Sequence, residues 1–368
     1  MKLKTGKWMA ALASVSLLAT VTACGSTSGS SSNAAGGSPQ PQNNTSGSSG
    51  AKHEWKIALS NSYIGNSWRS EMVKIFQSYA AQKKADGEIS SYFVSSSGND
   101  PQAQINEIRN MISQGYNAIL VDAASPTALK PILDQAAARG IAVVAFDNTV
   151  DSTKIYNVNT DQLQFGKIQA QWLADQMHGQ GNILEINGVE GTTVDRDRQQ
   201  GYQDVLSKYP GIHVLQKGYG KWDEAATSVL MNNMLSAQQG KTINGILSQG
   251  GGEVATYKAL NQNHIDPSKV YMTGEFTNGF FRLMSKDNVK GFAVGQPPYL
   301  SAASLDVALE VLNGKQVSKS VMIPLPQGSY KDASKFYVSS QPDDFFVDWT
   351  DAKNTYNLKL NDILPGNK

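Results

Sequence analysis

Residues 55–60 read WKIALS, a short apolar run of strand length, and the next stretch, SEMVKIFQSYAAQKKA, places its apolar residues at the three- and four-residue spacing of an amphipathic helix. The same alternation recurs along the chain. Strand-type runs fall at 89–96, 118–123, 141–147, 182–187, 213–219, 244–249, 270–275 and 291–296, with helical patterns between them. Several helix boundaries are visible. Asn99-Asp100-Pro101 and Ser125-Pro126 each put a capping side chain before a proline at the first helical position. Gly140 ends the helix that Ser125 begins. Alternating β and α segments predict parallel sheets covered by helices on both faces. The strands are continuously apolar, as strands buried on both sides are.

At 368 residues the chain is long enough for two α/β domains of about five strands each rather than one wide sheet. Residues 156–174, YNVNTDQLQFGKIQAQWLA, are polar and strand-like before a new helix begins, and read as a crossing between domains. The expected division is 52–160 plus 297–327 for the first domain, and 161–296 plus 328–368 for the second with its tail. About 50 residues follow VALEVLNGKQV. Within them MIPLP and KFYVSS read as short strands, and the segment is expected to pack across the hinge, adding a strand.

The N-terminus changes the picture. Residues 1–23 hold three lysines, then an apolar and small-residue run, then small residues before Cys24. That is a secretory signal pattern, and the run is shorter than the roughly 20 residues a spanning helix needs. Val21-Thr22-Ala23-Cys24 resembles a bacterial lipobox, and Cys24 is the chain's single cysteine. No disulfide can form within the chain, so stability must come from packing. Residues 24–51 follow as an acylated cysteine and an uncharged Gly/Ser-rich linker. Such a composition cannot offset its chain entropy and behaves as a tether with an r.m.s. span of about 28 Å. Membrane lipid is thus one expected partner, through Cys24, with the folded part held on the outer face of a membrane and a Gram-positive source favoured by the tether length.

Net charge is +1 over the whole chain and −2 once residues 1–23 are removed, which points away from nucleic acid. The four histidines lack metal-ligand spacing, and the folded part contains no phosphate-binding loop or nucleophile elbow. No cofactor, metal or catalytic residue is expected. In open α/β sheets, ligands bind at the loops after the C-terminal ends of strands. Those loops carry Asn66, Trp68, Arg69, Asp122, Asp147, Asn148, Arg198, Trp222, Gln249, Glu275 and Gln296, and beside them Thr192, Arg196 and Gly250 to Gly252. Carboxylates and amides accept from sugar hydroxyls, arginines and amides donate to them, and tryptophans stack on the apolar C–H face of a sugar ring. The set therefore suits a neutral, hydroxyl-rich ligand. Trp68 and Arg69 stand at a helix start, where the dipole disfavours a cation by a fraction of a kcal/mol. A charged hydrogen bond to ligand is expected to offset that cost. The alternatives are a core aromatic for Trp68 and Trp222, a surface arginine for Arg69 and a structural cap for Asp147.

From about residue 53 to 315 the chain resembles the type I periplasmic sugar-binding proteins of the ribose/galactose-binding family. IGNSWR stands at that family's stacking loop, AVVAFDN at its strand ending in Asp-Arg, GTTVDRDRQQGY at its arginine turn, GKWDEA at an aromatic position and AVGQPPYLSA at its late glutamine. The resemblance selects Arg198 over Arg196 by its spacing to Gly201-Tyr202, and assigns hydroxyl contacts to Asp147 and Gln296. Asn148 replaces the family's arginine, LSQGGGEVA lacks its Asn-Asp, and TGEFTNG lacks its Gly-Phe-Asp, which leaves Gln249 and Glu275 as the candidates there. The resemblance implies a monomeric, non-enzymatic receptor that closes on a neutral monosaccharide, pentose or hexose, and delivers it to the permease subunits of an ATP-driven importer. The rival reading is a receptor serving a membrane sensor kinase or chemoreceptor. A glycoside hydrolase using Asp147 and Glu275 as its carboxyl pair is a remote alternative.

Overall fold

The computed structural model describes residues 54–347; the signal, Cys24 and linker expected at 1–51, and the tail beyond 347, lie outside the described residues. The first lobe is built from β1 (Lys56–Asn61), α1 (Ser67–Ala85), β2 (Ser91–Ser96), α2 (Pro101–Ser113), β3 (Ala118–Asp122), α3 (Pro126–Ala138), β4 (Ala142–Phe146) and β5 (Tyr156–Asn159). The second runs through α4 (Gln162–Gln176), β6 (Gln180–Asn187), α5 (Thr193–Leu206), β7 (Gly211–Tyr219), α6 (Glu224–Ala237) and β8 (Gly245–Ser248). It continues with α7 (Glu253–Gln262), β9 (Tyr271–Gly274), α8 (Asn278–Lys286) and β10 (Lys290–Val294). The chain then returns through α9 (Leu300–Leu312), β11 (Ser320–Met322) and β12 (Gln327–Ser329).

Each lobe holds a six-stranded sheet, ordered β11-β5-β4-β3-β1-β2 in the first and β12-β10-β9-β8-β6-β7 in the second. All pairs are parallel except β10 with β12. Successive side chains of a strand face opposite ways, so each sheet feeds two cores. Ile57 and Leu59 of β1 pack with Met72 and Phe76 of α1 and Leu305 of α9. Ala58 between them packs with Ile108 of α2 and Leu133 of α3. The helix starts follow the sequence signals. Asp100 accepts from Gln102 N and Ala103 N at 2.8 and 3.2 Å, and Ser125 accepts from Ala128 N.

Three connections cross between the lobes, at 160–161, 295–299 and 323–326. The last lies just before the boundary expected at 327, because Gln327 already pairs in the second sheet. The crossings bind one another: Gly295 N donates to Pro326 O at 2.9 Å and Ile323 N to Asn159 O at 2.8 Å.

The described part of the C-terminal tail does pack across this hinge. The tail adds two short strands, β11 and β12, but neither is an expected one: MIPLP shares only Met322 with β11 and otherwise forms the third crossing, and KFYVSS is not a strand. It follows a single 3-10 turn at Ala333–Lys335 and is held as irregular chain by Asn278. Asn278 Nδ2 donates to the carbonyls of Val338 and Gln341, and Arg282 pairs with Asp343. The tail then reaches the first lobe, where Phe346 N donates to Glu71 of α1 at 3.0 Å and the Phe346 ring joins the first lobe's core at 4% exposure. Phe346→Ala should therefore cost about 3–5 kcal/mol of unfolding free energy, the range for emptying a buried aromatic site. Denaturant titration followed by tryptophan fluorescence measures this directly, and a loss below 1 kcal/mol would mean the strap is not anchored there.

Candidate functional site

The loops after β1, β4, β7 and β9 and the first two turns of α5 meet between the lobes around the second crossing. They line a narrow cleft with about 30 Å³ of water-accessible space, room for a water or two. Asn66, Trp68, Arg69 and Asp147 line it from the first lobe, Val194, Arg198, Trp222 and Glu275 from the second, and Gln296 from the crossing. A larger, open groove on the flank is lined by dispersed charges such as Lys130, Asp151 and Arg196, with no converging set.

Asn66 caps α1, its side chain accepting from Arg69 N at 2.9 Å. That turn tips Trp68 and Arg69 inward. Trp68 answers to both expectations: its ring belongs to the first lobe's core, while its edge lines the cavity and Nε1 donates to Gln296 O at 2.7 Å. Arg69 is 4% exposed. Its charge is already compensated within the protein. The guanidinium pairs with Asp122, reaches Asp147 Oδ2 at 3.2 Å and donates to Asn61 Oδ1 at 3.1 Å. Burial still pulls the Arg69 pKa below its usual value.

Asp147 sits at a φ of 57°, a left-handed conformation that turns its carboxylate from the end of β4 into the cleft. Oδ2 faces Arg69 and Asn148, and Oδ1 accepts from Gln296 Nε2 at 2.9 Å. Across the cavity, Arg198 is 1% exposed and stacks 3.6 Å from the Phe165 ring centroid. Its Nη1 donates to Glu275 Oε1 and Gln249 O, each at 2.9 Å, and its Nε to Gln162 Oε1 at 2.8 Å. Arg196, by contrast, is exposed and pairs with its neighbour Asp197. Trp222 also adopts a left-handed backbone, φ 53°, which a bulky residue holds only under tertiary constraint. Two glycines make room for it. A Cβ at Gly188 would lie 2.1 Å from the indole, and one at Gly251, where φ is 75°, 2.6 Å from the Trp222 backbone.

Three of the eleven sequence candidates stand behind the lining. Asp122 is fully buried and engaged by Arg69 and by Asn148 Nδ2. Asn148 spends its amide on Asp122 and Asp147. Gln249 turns its side chain to Asp195, leaving only its carbonyl for Arg198. Sequence reasoning missed Asn159, Thr160 and Gln162 at the first crossing, which surround the Gln296 amide. The signal was available: a polar run immediately after a strand, at the crossing itself. Tyr63, whose ring lies 5.1 Å from the Arg69 guanidinium, was missed too, because it falls one turn before the helix. Among the described residues no cluster of three or more metal-ligating side chains occurs, and no helix is long and apolar enough to cross a membrane.

A family model for the periplasmic binding protein domain matches residues 57–316, which take in every lining residue and all strands before β11 apart from Lys56. The chain belongs to the type I periplasmic binding proteins. As a member of that family it is a binding protein and not an enzyme. The ribose import binding protein of Bacillus subtilis is 24% identical over 280 residues, 75% of this chain and 88% of that one. The xylitol-binding protein of Mycolicibacterium smegmatis is 27% identical over 274 residues, 66% of this chain and 78% of its relative. Among solved structures, an ABC transporter solute-binding protein from Thermobispora bispora superposes with a TM-score of 0.72 at 26% identity, covering 79% and 90% of the two chains.

Electrostatics of this binding protein set one pH dependence. Burial raises the Glu275 carboxyl to about 7 even though the Arg198 guanidinium opposes the shift. Burial likewise raises Glu253, 2% exposed behind the cavity, to about 7. Both are raised above the usual carboxylate value of about 4.3 in an unfolded chain. The stability of the neutral forms is thus fully present below that value and is lost as pH rises through 7. The ligand-free protein should melt at a higher temperature at pH 5 than at pH 8, and Glu253→Gln should flatten the slope. Scanning calorimetry between these limits tests it; an equal slope in the variant would refute the assignment to Glu253.

Proposed function

We propose that this protein captures one neutral monosaccharide in the cavity between its lobes and passes it, chemically unchanged, to the permease of an ATP-driven importer. The observation carrying this reading is the composition of the lining. Two arginines, two carboxylates, two amides and two tryptophans converge on one narrow cleft, with one tryptophan from each lobe. The charges compensate one another: Arg69 and Arg198 are balanced by Asp122, Asp147 and Glu275, leaving no surplus cation for a phosphate or sugar acid. Hydroxyls, which donate and accept, match such paired groups. Trp222 Nε1 is buried without a hydrogen-bond partner among the described residues, and a hydroxyl would supply one. Ribose, xylitol and galactofuranose, the ligands in the names of three relatives, are all neutral and hydroxyl-rich.

The ligand set proposed is Asn66, Trp68, Arg69, Asp147, Arg198, Trp222, Glu275 and Gln296. Asp122, Asn148 and Gln249 support it from behind. Because the lining is divided between lobes joined by three crossings, binding shifts an open–closed equilibrium about them. The protein works as a monomer, held by lipid on Cys24 to the outer face of the cell membrane of a Gram-positive bacterium, with residues 25–50 as its leash.

Calorimetry over a panel of monosaccharides tests the reading. One sugar should bind in a single site, and Arg198→Ala and Trp222→Ala should each weaken it tens-fold or more, since a lost charged hydrogen bond costs about 1.5–3 kcal/mol. Affinity unchanged in both variants, or recovery of a chemically altered sugar, would overturn it. Cys24→Ser should release the folded protein from the membrane fraction with its melting temperature unaltered; retention in that fraction would remove the lipid anchor from the scheme.

A further inference from the structure

Gln162 does not line the cavity, yet it is the residue through which the two sides of the cavity are joined. It is 5% exposed and opens α4 directly after the first crossing. Its amide is divided between the lobes. Nε2 faces three oxygens: Gln296 Oε1 at 2.8 Å, Thr160 Oγ1 at 2.9 Å and Asn159 Oδ1 at 3.2 Å. Oε1 accepts from Arg198 Nε at 2.8 Å. Turning the amide over would set its N–H groups against the Nε–H of Arg198 and its oxygen against the other three, so its orientation is determined from both ends.

Two further orientations follow from that one. With N–H groups of Gln162 and the Thr160 hydroxyl on its Oε1, the Gln296 amide must present Nε2 to Asp147 Oδ1 and Asn159 Oδ1. Arg198 holds Nε on Gln162 and Nη1 on Glu275 and Gln249, which leaves Nη2 as the guanidinium nitrogen with no partner among the described residues. The closest substitutes could not make this junction. Glutamate offers no donor to Gln296, lysine and arginine offer no acceptor to Arg198, and asparagine is one methylene shorter.

We propose that Gln162 is a positioning residue of the cleft, fixing which face of the Gln296 amide and which nitrogen of Arg198 meet the ligand. The inference rests on the sugar-binding reading for its consequence but not for its geometry, and two measurements keep these apart. The first uses ligand-free protein and follows the Arg198 Nε–H and Gln296 side-chain amide signals by ¹H–¹⁵N NMR. Gln162→Met should speed exchange of the Arg198 Nε proton at least tenfold and shift both Gln296 amide signals. Gln162→Glu keeps the acceptor for Arg198 and so should move only the Gln296 signals. A role in stability alone would not separate the two variants in this way, and should Gln162→Glu fail to fold, the Gln162→Met signals alone decide.

The second measurement is the Kd for the tightest binder among D-ribose, D-galactose and xylitol, expected to rise tenfold or more in Gln162→Met and by less in Gln162→Glu. Unmoved NMR signals in Gln162→Met would overturn the proposal, as would an unaltered Kd in a protein whose wild type binds. If the signals move as stated but the wild type binds no sugar, the positioning role stands and the sugar reading falls.

Discussion

Burying a guanidinium is among the costlier things a fold can do, and this one buries two on opposite walls of a single cleft. Neither could persist there alone, because the desolvation cost is recovered only with close carboxylates and additional hydrogen bonds. Arg69 is met by Asp122 and Asp147, Arg198 by Glu275. The third residue of α1, the ends of β3 and β4, the second turn of α5 and the end of β9 are all committed to these two clusters. The glycines beneath Trp222 and the left-handed turn at Asp147 then follow as steric conditions for bringing such groups together.

The clusters are not independent. From Asp122 the contacts run through Arg69 to Asp147, then through the amides of Gln296 and Gln162 to Arg198 and Glu275. Charged groups lie at both ends and neutral amides in the middle, where the chain crosses between lobes. That distribution has a physical logic. Amides can exchange partners as the crossings rotate without exposing or stranding a charge, whereas an ion pair at the same point would resist opening by several kcal/mol. Specific, charge-assisted contacts therefore sit on each rigid wall, and the adjustable ones sit at the hinge.

The strap at 336–347 adds a constraint on the same helix that carries Trp68 and Arg69. Asn278 and Arg282 fasten it to the second lobe, while Glu71 and the core around Phe346 fasten it to the first. Glu71 lies two residues after Arg69, so the position of α1 depends both on the cleft in front and on the strap behind.

Much of this was legible in the chain before any contact was known. Apolar runs located nine of the strands, although β2 and β7, at the sheet edges, turn out only partly buried rather than buried on both faces, and Asp100, Ser125 and Gly140 marked helix ends through their own local chemistry. The loops after those strands named all eight polar and aromatic residues of the cavity wall, because the C-terminal edge of a parallel sheet is where such loops must emerge. What only the tertiary structure decided was partnership. Val194 reads as a core residue, Gln162 as an ordinary first turn of a helix, and KFYVSS as a strand until Asn278 is seen to take its backbone groups. Arg69 reads as a cation without a partner until Asp122 and Asp147 arrive from 53 and 78 residues away in the chain. A side chain's type reveals what bonds it can make; which of them it makes depends on groups brought near by folding, and those separations leave no local trace in sequence.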